Sequence, residues 1–419
     1  MWSYVQSLLL FLAFWPNLAH AYLDPGSGSA LISTLVAAGT GLLYALRSFF
    51  YKLFGKAPEQ PAEPSNIAIF SEGKAYWGTF RLIVDELIRR KIFFRYLTLD
   101  LHDPGLAIES RYMQARLLPA TKAGFSFIER ENAPIMLATT PNIGVAGFPL
   151  RRPDVGQLIH IFHSVSDIST YRKGSLDYYD TVILAGEFQK ESIRLIEQKR
   201  SLPEKKLVTL GLPYLDELYT HVKSLASVEK NDDRIRILIG SSWGQKGCLR
   251  TYGIDFIRTL IQTGYRIIIR PHPHSFVCEP DYIRQCEQAL MSCSSVSWDK
   301  DTSPFRAMLD SDILISDTSS IRFDYAFLFN KPVITLDIPR QNLTDFEADD
   351  LAEDWADQAC EKIGVVVDKK SISGLGQTVS QLLKNPDTRD IRAMRDSVIV
   401  NWPHSSEKIV DYLLQQHQG

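Results

Sequence analysis

The chain is poor in cysteine and lacks the patterns that pair cysteines. Its five cysteines form no C-x-x-C pair and no zinc-binding spacing. Disulfide-stabilised secreted domains carry dense, even-numbered cysteines, so this scattered set indicates thiols in a reducing compartment. The cysteines are Cys248, Cys278, Cys286, Cys293 and Cys360.

The chain also lacks an excess of positive charge. It has 46 Lys and Arg against 49 Asp and Glu, and no long basic stripe with interleaved aromatics. A nucleic-acid partner is therefore not predicted. A length of 419 residues with 45% hydrophobic residues is enough for two or three folded domains.

Signatures of phosphate loops, dinucleotide sites and metal sites are missing. The sequence has no Walker spacing and no G-x-G-x-x-G. Asp310-Ser311-Asp312 is similar to a metal-binding D-x-D, but it precedes a predicted strand, which favours a solvated turn. Neither a metal nor a cofactor is predicted.

The first 65 residues differ from the rest. Residues 1–21 contain a short apolar core and an A-x-A cleavage pattern, which predicts a signal peptide or, as the alternative, an uncleaved first membrane helix. Residues 30–51 are mainly apolar and long enough to span a bilayer, so we expect a transmembrane helix there. The Pro-rich stretch 52–65 is typical of a semi-rigid linker.

Positive charges follow this apolar segment and do not precede it. The uncharged run ends at Leu46, and Arg47, Lys52 and Lys56 follow it. Since loops rich in Lys and Arg stay on the cytoplasmic side, this asymmetry predicts an inner-membrane protein whose later domains face the cytoplasm.

From residue 66 onward, short apolar runs alternate with helical patterns. This alternation predicts parallel sheets, and hence an α/β fold with two Rossmann-like domains, at 66–218 and 234–396. The charged stretch 218–233 is interpreted as the hinge between them. Residues 397–419 are predicted to form a C-terminal helix.

Two motifs in the second half predict a phosphate-binding site. RPHPH (270–274) and DTSS (317–320) each follow a predicted strand, and the second opens a predicted helix. A cation, an imidazole and helix-start hydroxyls at the carboxyl ends of parallel strands are suited to bind phosphate. The alternatives are a solvated strand end and an ordinary helix cap. The candidate residues are Arg270, His272, Thr318, Ser319 and Ser320.

A Gly/Ser loop, GSSWGQKG (240–247), follows the first predicted strand of the second domain. Its backbone can approach a phosphate closely, and Lys246 adds a charge. Ser241, Ser242 and Lys246 are therefore candidate donor contacts. The alternative is an ordinary connection between a strand and a helix.

These motifs resemble those of the CDP-glycerol glycerophosphotransferases of teichoic-acid and capsule synthesis. The similar segments are RPHP (270–273), ISDTSSIRFD (315–324), NKPV (330–333) and GLPYLD (211–216). The resemblance implies a distant member with a GT-B-like fold, an acceptor side in the first domain and a nucleotide side in the second. His163 stands where the family has a His-Gly pair, although Ser164 replaces the glycine, and the family's P-T-x-R element is GSSWGQKG here.

By this resemblance, the protein transfers a polyol phosphate, such as glycerol phosphate, from a CDP-activated donor to a glycan or lipid-linked acceptor. His163 is the expected general base, and His272 stabilises charge on the diphosphate. One alternative is a GT-B glycosyltransferase that uses a CMP-linked or other nucleotide sugar. That enzyme needs a carboxylate in the first domain, for which Glu72 is the candidate. A non-catalytic nucleotide-binding membrane protein is the other alternative.

Overall fold

The computed structural model describes residues 66–120, 133–145, 156–224, 233–301, 303–338, 345–351, 355–384 and 390–417. The predicted signal peptide or first helix (1–21), transmembrane helix (30–51) and linker (52–65) lie outside these ranges. Within them, no helix has the length and apolar character required to cross a membrane.

The first half contains a seven-stranded parallel sheet in the order β3-β2-β1-β4-β5-β6-β7. Its central strands are buried, apart from the partly exposed Gln157 at the start of β5, because helices cover both faces of the sheet. The strands are β1 Ile67–Ser71, β2 Phe94–Thr98, β3 Met113–Leu117, β4 Ile135–Ala138, β5 Gln157–Ile161, β6 Thr181–Leu184 and β7 Lys206–Thr209.

The second half contains a six-stranded parallel sheet in the order β10-β9-β8-β11-β12-β13. Its centre is formed by isoleucine-rich strands whose β-branched side chains suit a buried pleated surface. The strands are β8 Arg236–Ser241, β9 Arg266–Pro271, β10 Val296–Trp298, β11 Ile313–Ser316, β12 Val333–Leu336 and β13 Gly364–Val367.

Thirteen α-helices within the described residues connect and cover these strands. In chain order they are α1 Trp77–Arg89, α2 Lys190–Arg200, α3 Pro213–Ser224, α4 Cys248–Tyr252, α5 Asp255–Gln262, α6 Ser275–Cys278, α7 Pro280–Leu290, α8 Phe305–Asp310, α9 Ile321–Phe329, α10 Trp355–Ile363, α11 Leu375–Lys384, α12 Ile391–Val398 and α13 Ser405–His417.

The last helix returns to the first sheet. Ile409, Val410 and Leu413 of α13 are fully buried in one cluster with residues of β1, β4 and β5. Arg90, at the end of α1, forms an ion pair of 2.5 Å with Asp411 of α13. The chain therefore runs through the first half, through the second half and back.

The region between the sheets differs from the predicted hinge at 218–233. Residues 218–224 of the predicted hinge form the end of helix α3, and 225–232 lie outside the described residues. Pro213 suits the first helical position, and apolar residues at helical spacing pack this helix against α1 and α9. The charged residues at 216–223 thus belong to an amphipathic helix.

Candidate functional site

Three loops meet at one edge of the second sheet. Strands β9, β8 and β11 are neighbours, so their carboxyl ends bring together 242–247, 272–274 and 317–320. Ligands bind outside the carboxyl ends of such strands in open α/β sheets. Sequence reasoning brought the same three segments together.

Asp317 holds two of these loops together. One carboxylate oxygen accepts hydrogen bonds from the backbone N–H of Ser242 at 2.9 Å and of Cys248 at 2.7 Å. The other oxygen accepts from Ser242 Oγ at 2.6 Å and from the Ser319 N–H at 3.2 Å. Because Asp317 is fully buried and its oxygens are occupied, its role is to fix the loops.

His272 is oriented by the backbone around it. Its N–H donates to the Ser241 carbonyl at 3.0 Å, and its ring Nδ1 accepts from the His274 N–H at 3.1 Å. Burial lowers the pKa of His272, helped by the charge of His274, so the ring is predominantly neutral at pH 7. With Nδ1 accepting, we assign the proton to Nε2, which makes Nε2–H a donor for a phosphate oxygen.

Arg270 lies deeper than the sequence suggests. Its guanidinium is 8% exposed and pairs with Asp299 at 2.5 Å. This ion pair anchors the end of β9 beneath His272, which favours a supporting role. Direct contact between Arg270 and a donor phosphate stays a prediction.

Several predicted hydroxyls serve the loop network. Ser241 Oγ donates to the Ser242 carbonyl at 2.9 Å, and Ser319 Oγ accepts from the Ile321 N–H at 3.4 Å. Thr318 is exposed and Ser320 is half-buried at the start of α9. The side chain of Lys246 lies outside the part of the chain that the structure describes.

The loop after β8 requires a glycine at one point. A Cβ on Gly247 would lie 2.1 Å from the Ser242 carbonyl oxygen, so the backbone closes here only without a side chain. Trp243, in the same loop, is 49% exposed, and its ring centroid lies 5.6 Å from that of His274. The loop is thus a tight, fixed turn that carries an exposed aromatic ring.

A second site lies at the carboxyl edge of the first sheet. A cavity of about 390 Å³ opens there, within the size range of small-molecule pockets. His163, which the sequence analysis predicts to be the general base, lines this cavity. The cavity is lined by Glu72, Tyr76, Pro141, Asn142, His163, Ser164, Thr170, Tyr171 and Arg172.

His163 is neutral in this cavity. Burial lowers its pKa to about 4, and its Nδ1 has no hydrogen-bond partner among the described residues. The ring lies edge-on to Tyr76, with centroids 5.1 Å apart, and parallel to Tyr171 at 6.4 Å. The unpartnered Nδ1 is buried, and a pKa of about 4 makes the free imidazole a weak base at neutral pH.

Glu72 shares the cavity with His163. Burial raises the pKa of its carboxyl, and the Thr140 hydroxyl opposes this shift. Burial and, to a smaller extent, the charge of Glu72 raise the pKa of Tyr76, which lines the same cavity. The sequence placed Glu72 after the first strand but gave no signal that it would meet His163.

The segment GLPYLD (211–216) has a structural role that its sequence does not reveal. A Cβ on Gly211 would meet Ser405 Oγ at 2.3 Å, and Asp216 accepts from the Ser405 N–H at 2.6 Å. Tyr214 donates to Asp324 of α9 at 2.9 Å. This segment therefore joins the first half to α9 and to the start of α13.

The D-x-D-like segment is a structural turn. The Asp312 carboxylate accepts from the Arg236 N–H at 2.9 Å, and the Ser311 hydroxyl contacts Tyr325 Oη at 3.1 Å. Since Ser311 is buried, the turn is less solvated than the sequence suggests. It links β11 to the start of β8.

Residues 166–338 match the family described as CDP-Glycerol:Poly(glycerophosphate) glycerophosphotransferase. The match covers less than half of the chain, so the chain is similar to this family over that segment. The match includes all three loops at the edge of the second sheet and ends just after β12. It begins after Glu72 and His163, and of the first-sheet cavity it includes Thr170, Tyr171 and Arg172.

Solved structures share the fold at low sequence identity. The wall teichoic acid polymerase TagF is 15% identical with a TM-score of 0.50, covering 85% of this chain and 90% of that one. The UDP-GlcNAc 2-epimerase of Neisseria meningitidis bound to UDP-GlcNAc is 14% identical, with a TM-score of 0.54 and coverages of 84% and 99%. A putative UDP-N-acetylglucosamine 2-epimerase of Listeria monocytogenes is 10% identical with a TM-score of 0.55, covering 85% of this chain and 97% of that one. No curated protein matches the sequence.

These similarities show the architecture. The predicted α/β, GT-B-like fold with two parallel sheets is confirmed. At identities this low, the similarities carry no information about substrates.

Proposed function

We propose that the protein transfers a polyol phosphate, most simply glycerol phosphate, from a CDP-activated donor to an acceptor hydroxyl. The observation that carries this proposal is the family match over 166–338, which includes each loop at the edge of the second sheet. The Nε2–H of His272 and the start of α9 supply donors suited to a diphosphate.

The proposed reaction is an in-line displacement. The acceptor oxygen attacks the β-phosphorus, the bond from that phosphorus to the CMP oxygen breaks, and CMP leaves with the electron pair. The acceptor proton passes to the imidazole of His163. His272, Ser319 and Ser320 stabilise the diphosphate charge, which is the main contribution that a protein makes to phosphoryl transfer.

The acceptor in this proposal is a glycan or lipid-linked hydroxyl of a cell-envelope polymer. An anchor formed by residues 30–51 would hold the enzyme at the inner membrane, with its sheets in the cytoplasm, where nucleotide donors are found. Reduced cysteines fit that compartment.

The full-length protein in detergent provides the first test. We expect CMP and CDP-glycerol to raise its melting temperature, because a ligand at 100 times its Kd stabilises the folded state by about 2.7 kcal/mol. UDP-sugars should leave the melting temperature unchanged. Release of CMP from CDP-glycerol should follow when an acceptor is added. If no cytidine compound stabilises the protein, the CDP-alcohol assignment is wrong.

A nucleotide-sugar glycosyltransferase is the second candidate, since Glu72 supplies a carboxylate in the acceptor cavity. Binding of CMP-sialic acid, with turnover abolished by Glu72→Gln, would favour it. Loss of turnover in His163→Ala, with partial activity in Glu72→Gln, would favour phosphotransfer.

A further inference from the structure

The cavity of the first sheet presents two polar groups from two separated strands. Glu72 follows β1 and His163 follows β5, with β4 between them. Neighbouring strands lie about 4.8 Å apart, so the two strand ends are about 10 Å apart across the sheet edge. Tyr76 lines the same cavity, and its ring lies edge-on to that of His163, with centroids 5.1 Å apart. The cavity therefore receives Glu72 from the β1 side of the sheet edge and His163 from the β5 side.

The Glu72 carboxylate has spare capacity to accept hydrogen bonds. Burial raises its pKa and the Thr140 hydroxyl lowers it, and no described Lys or Arg contributes to this shift. Tyr76 and Tyr171 line the same cavity. A carboxylate beside aromatic rings, opposite a neutral imidazole, suits a ligand that has several hydroxyls and apolar C–H surfaces.

We propose that Glu72 is an acceptor-binding residue that selects a polyhydroxylated acceptor end, such as a sugar or polyol. One hydroxyl donates to Glu72 while a different hydroxyl of the same molecule faces His163. Glu72 thereby positions the attacking oxygen and takes no proton from it. This inference rests on the proposed function for the identity of the reaction, but the binding that it predicts is measurable without turnover.

The test compares four forms of the full-length protein in detergent with CMP present. They are the wild type, Glu72→Gln, Glu72→Asp and a control, Glu109→Gln, which changes an exposed carboxylate of the first half. The probes are N-acetylglucosamine, glycerol and ethanol, and their binding is followed by ligand-observed NMR. Stabilisation by CMP reports whether each variant is folded.

We expect the wild type and the Glu109→Gln control to bind N-acetylglucosamine and glycerol but not ethanol. Charge-assisted hydrogen bonds are about twice as strong as neutral ones. Glu72→Gln should therefore lower the affinity for N-acetylglucosamine by about tenfold or more. Glu72→Asp, which keeps the charge on a shorter side chain, should retain part of the affinity. In turnover with CDP-glycerol, the change in Glu72→Gln should appear mainly in the KM for the acceptor.

Equal sugar binding by Glu72→Gln and the wild type, with CMP stabilisation intact, would overturn the inference. So would the absence of sugar binding by the wild type. If the protein never releases CMP from CDP-glycerol but loses sugar binding in Glu72→Gln, the proposed function fails and the assignment of Glu72 stands.

Discussion

At the scale of single residues, Asp317 has the greatest influence on the second-sheet site. The sequence indicates a possible helix cap at this position, but its main partners, Ser242 and Cys248, are 75 and 69 residues away in the chain. No local pattern reveals such contacts. The position of His272 was predictable from the sequence, because RPHPH places an imidazole in a rigid turn directly after a strand.

We expect Asp317→Ala to reduce both stability and nucleotide binding. Removing the carboxylate leaves buried N–H donors unsatisfied, at a cost of about 1–3 kcal/mol each, and releases the loop after β8. Denaturant unfolding should show the loss, and CMP should no longer raise the melting temperature. The exposed control Asp281→Asn should leave both measurements unchanged. Normal CMP binding by Asp317→Ala would contradict the assigned role.

Two substitutions at His272 test the assignment of its proton. The Gln side chain amide reaches the position of Nε2, whereas the Asn amide reaches that of Nδ1. If Nε2–H donates to the donor phosphate, His272→Gln should retain more of the affinity for CMP than His272→Asn. Calorimetric titration measures both. The reverse order would mean that Nδ1 faces the ligand.

Asp324 should make stability depend on pH. Burial raises its pKa to about 7 from an ordinary value of 3.8. The folded state therefore binds more protons than the unfolded state between these values, so the free energy of unfolding falls as pH rises through this window. One such carboxyl contributes a slope of at most about 1.4 kcal/mol per pH unit.

Asp324→Asn should flatten this dependence and raise stability at pH 8 relative to the wild type. Unfolding by denaturant at pH 5 and pH 8 provides the comparison. Asp216, whose pKa burial raises to about 6, contributes in the same direction and remains in the variant. An unchanged slope between pH 5 and pH 8 would show that Asp324 is not protonated in the folded state.

At the scale of elements, one short segment of the second half packs against the first. Glu347 is fully buried, accepts from the Gly174 N–H at 2.9 Å and pairs with Arg200 at 2.5 Å. A bridge between Arg172 and Phe346 continues this contact. Because Tyr171 and Arg172 line the first-sheet cavity, residues 345–351 support one of its walls.

We expect Glu347→Ala to loosen this wall. The substitution leaves Arg200 with Asp177 as its remaining carboxylate partner, at 3.2 Å, and it leaves the Gly174 N–H without its acceptor, at a cost of about 1–3 kcal/mol. Hydrogen exchange should accelerate at 170–175 more than at the second-sheet loops. The exposed control Glu361→Gln should exchange like the wild type. Uniform acceleration over the whole chain would indicate a global effect and no specific support.

The buried strands are the most predictable elements from the sequence. Strands β11 and β12 are continuous apolar runs with flanking turns. Strand β3 gives no such signal because it is an edge strand in which polar, exposed residues alternate with less exposed ones. The end of helix α3 was interpreted as a hinge because its charged face obscures its apolar one.

At the scale of the whole molecule, helix α13 returns to the first sheet and completes the hydrophobic core on one of its faces. The sequence predicts a helix over 397–419, whereas α13 spans Ser405–His417 and residues 397–398 end α12. The sequence contains no signal for where this helix packs. The contacts arise from the buried residues Ile409, Val410 and Leu413 and from the cap that Asp216 provides. Long-range packing of this kind is visible only in the structure.

Leu413→Ala should destabilise the first half. Removing a fully buried leucine costs about 2–5 kcal/mol, whereas the exposed control Lys408→Ala should change stability by less than about 0.5 kcal/mol. Guanidinium unfolding followed by tryptophan fluorescence measures both. Similar values for the two variants would contradict the packing of α13 on the first sheet.

The returning helix also determines when the first half becomes complete during synthesis on the ribosome. Domains usually fold in order from the N-terminus as the chain emerges. Helix α13, which covers one face of the first sheet, leaves the ribosome after the entire second half. The first half is therefore synthesised early, but its core is completed only after α13 has emerged. Until then, the apolar face of the sheet is accessible to chaperones.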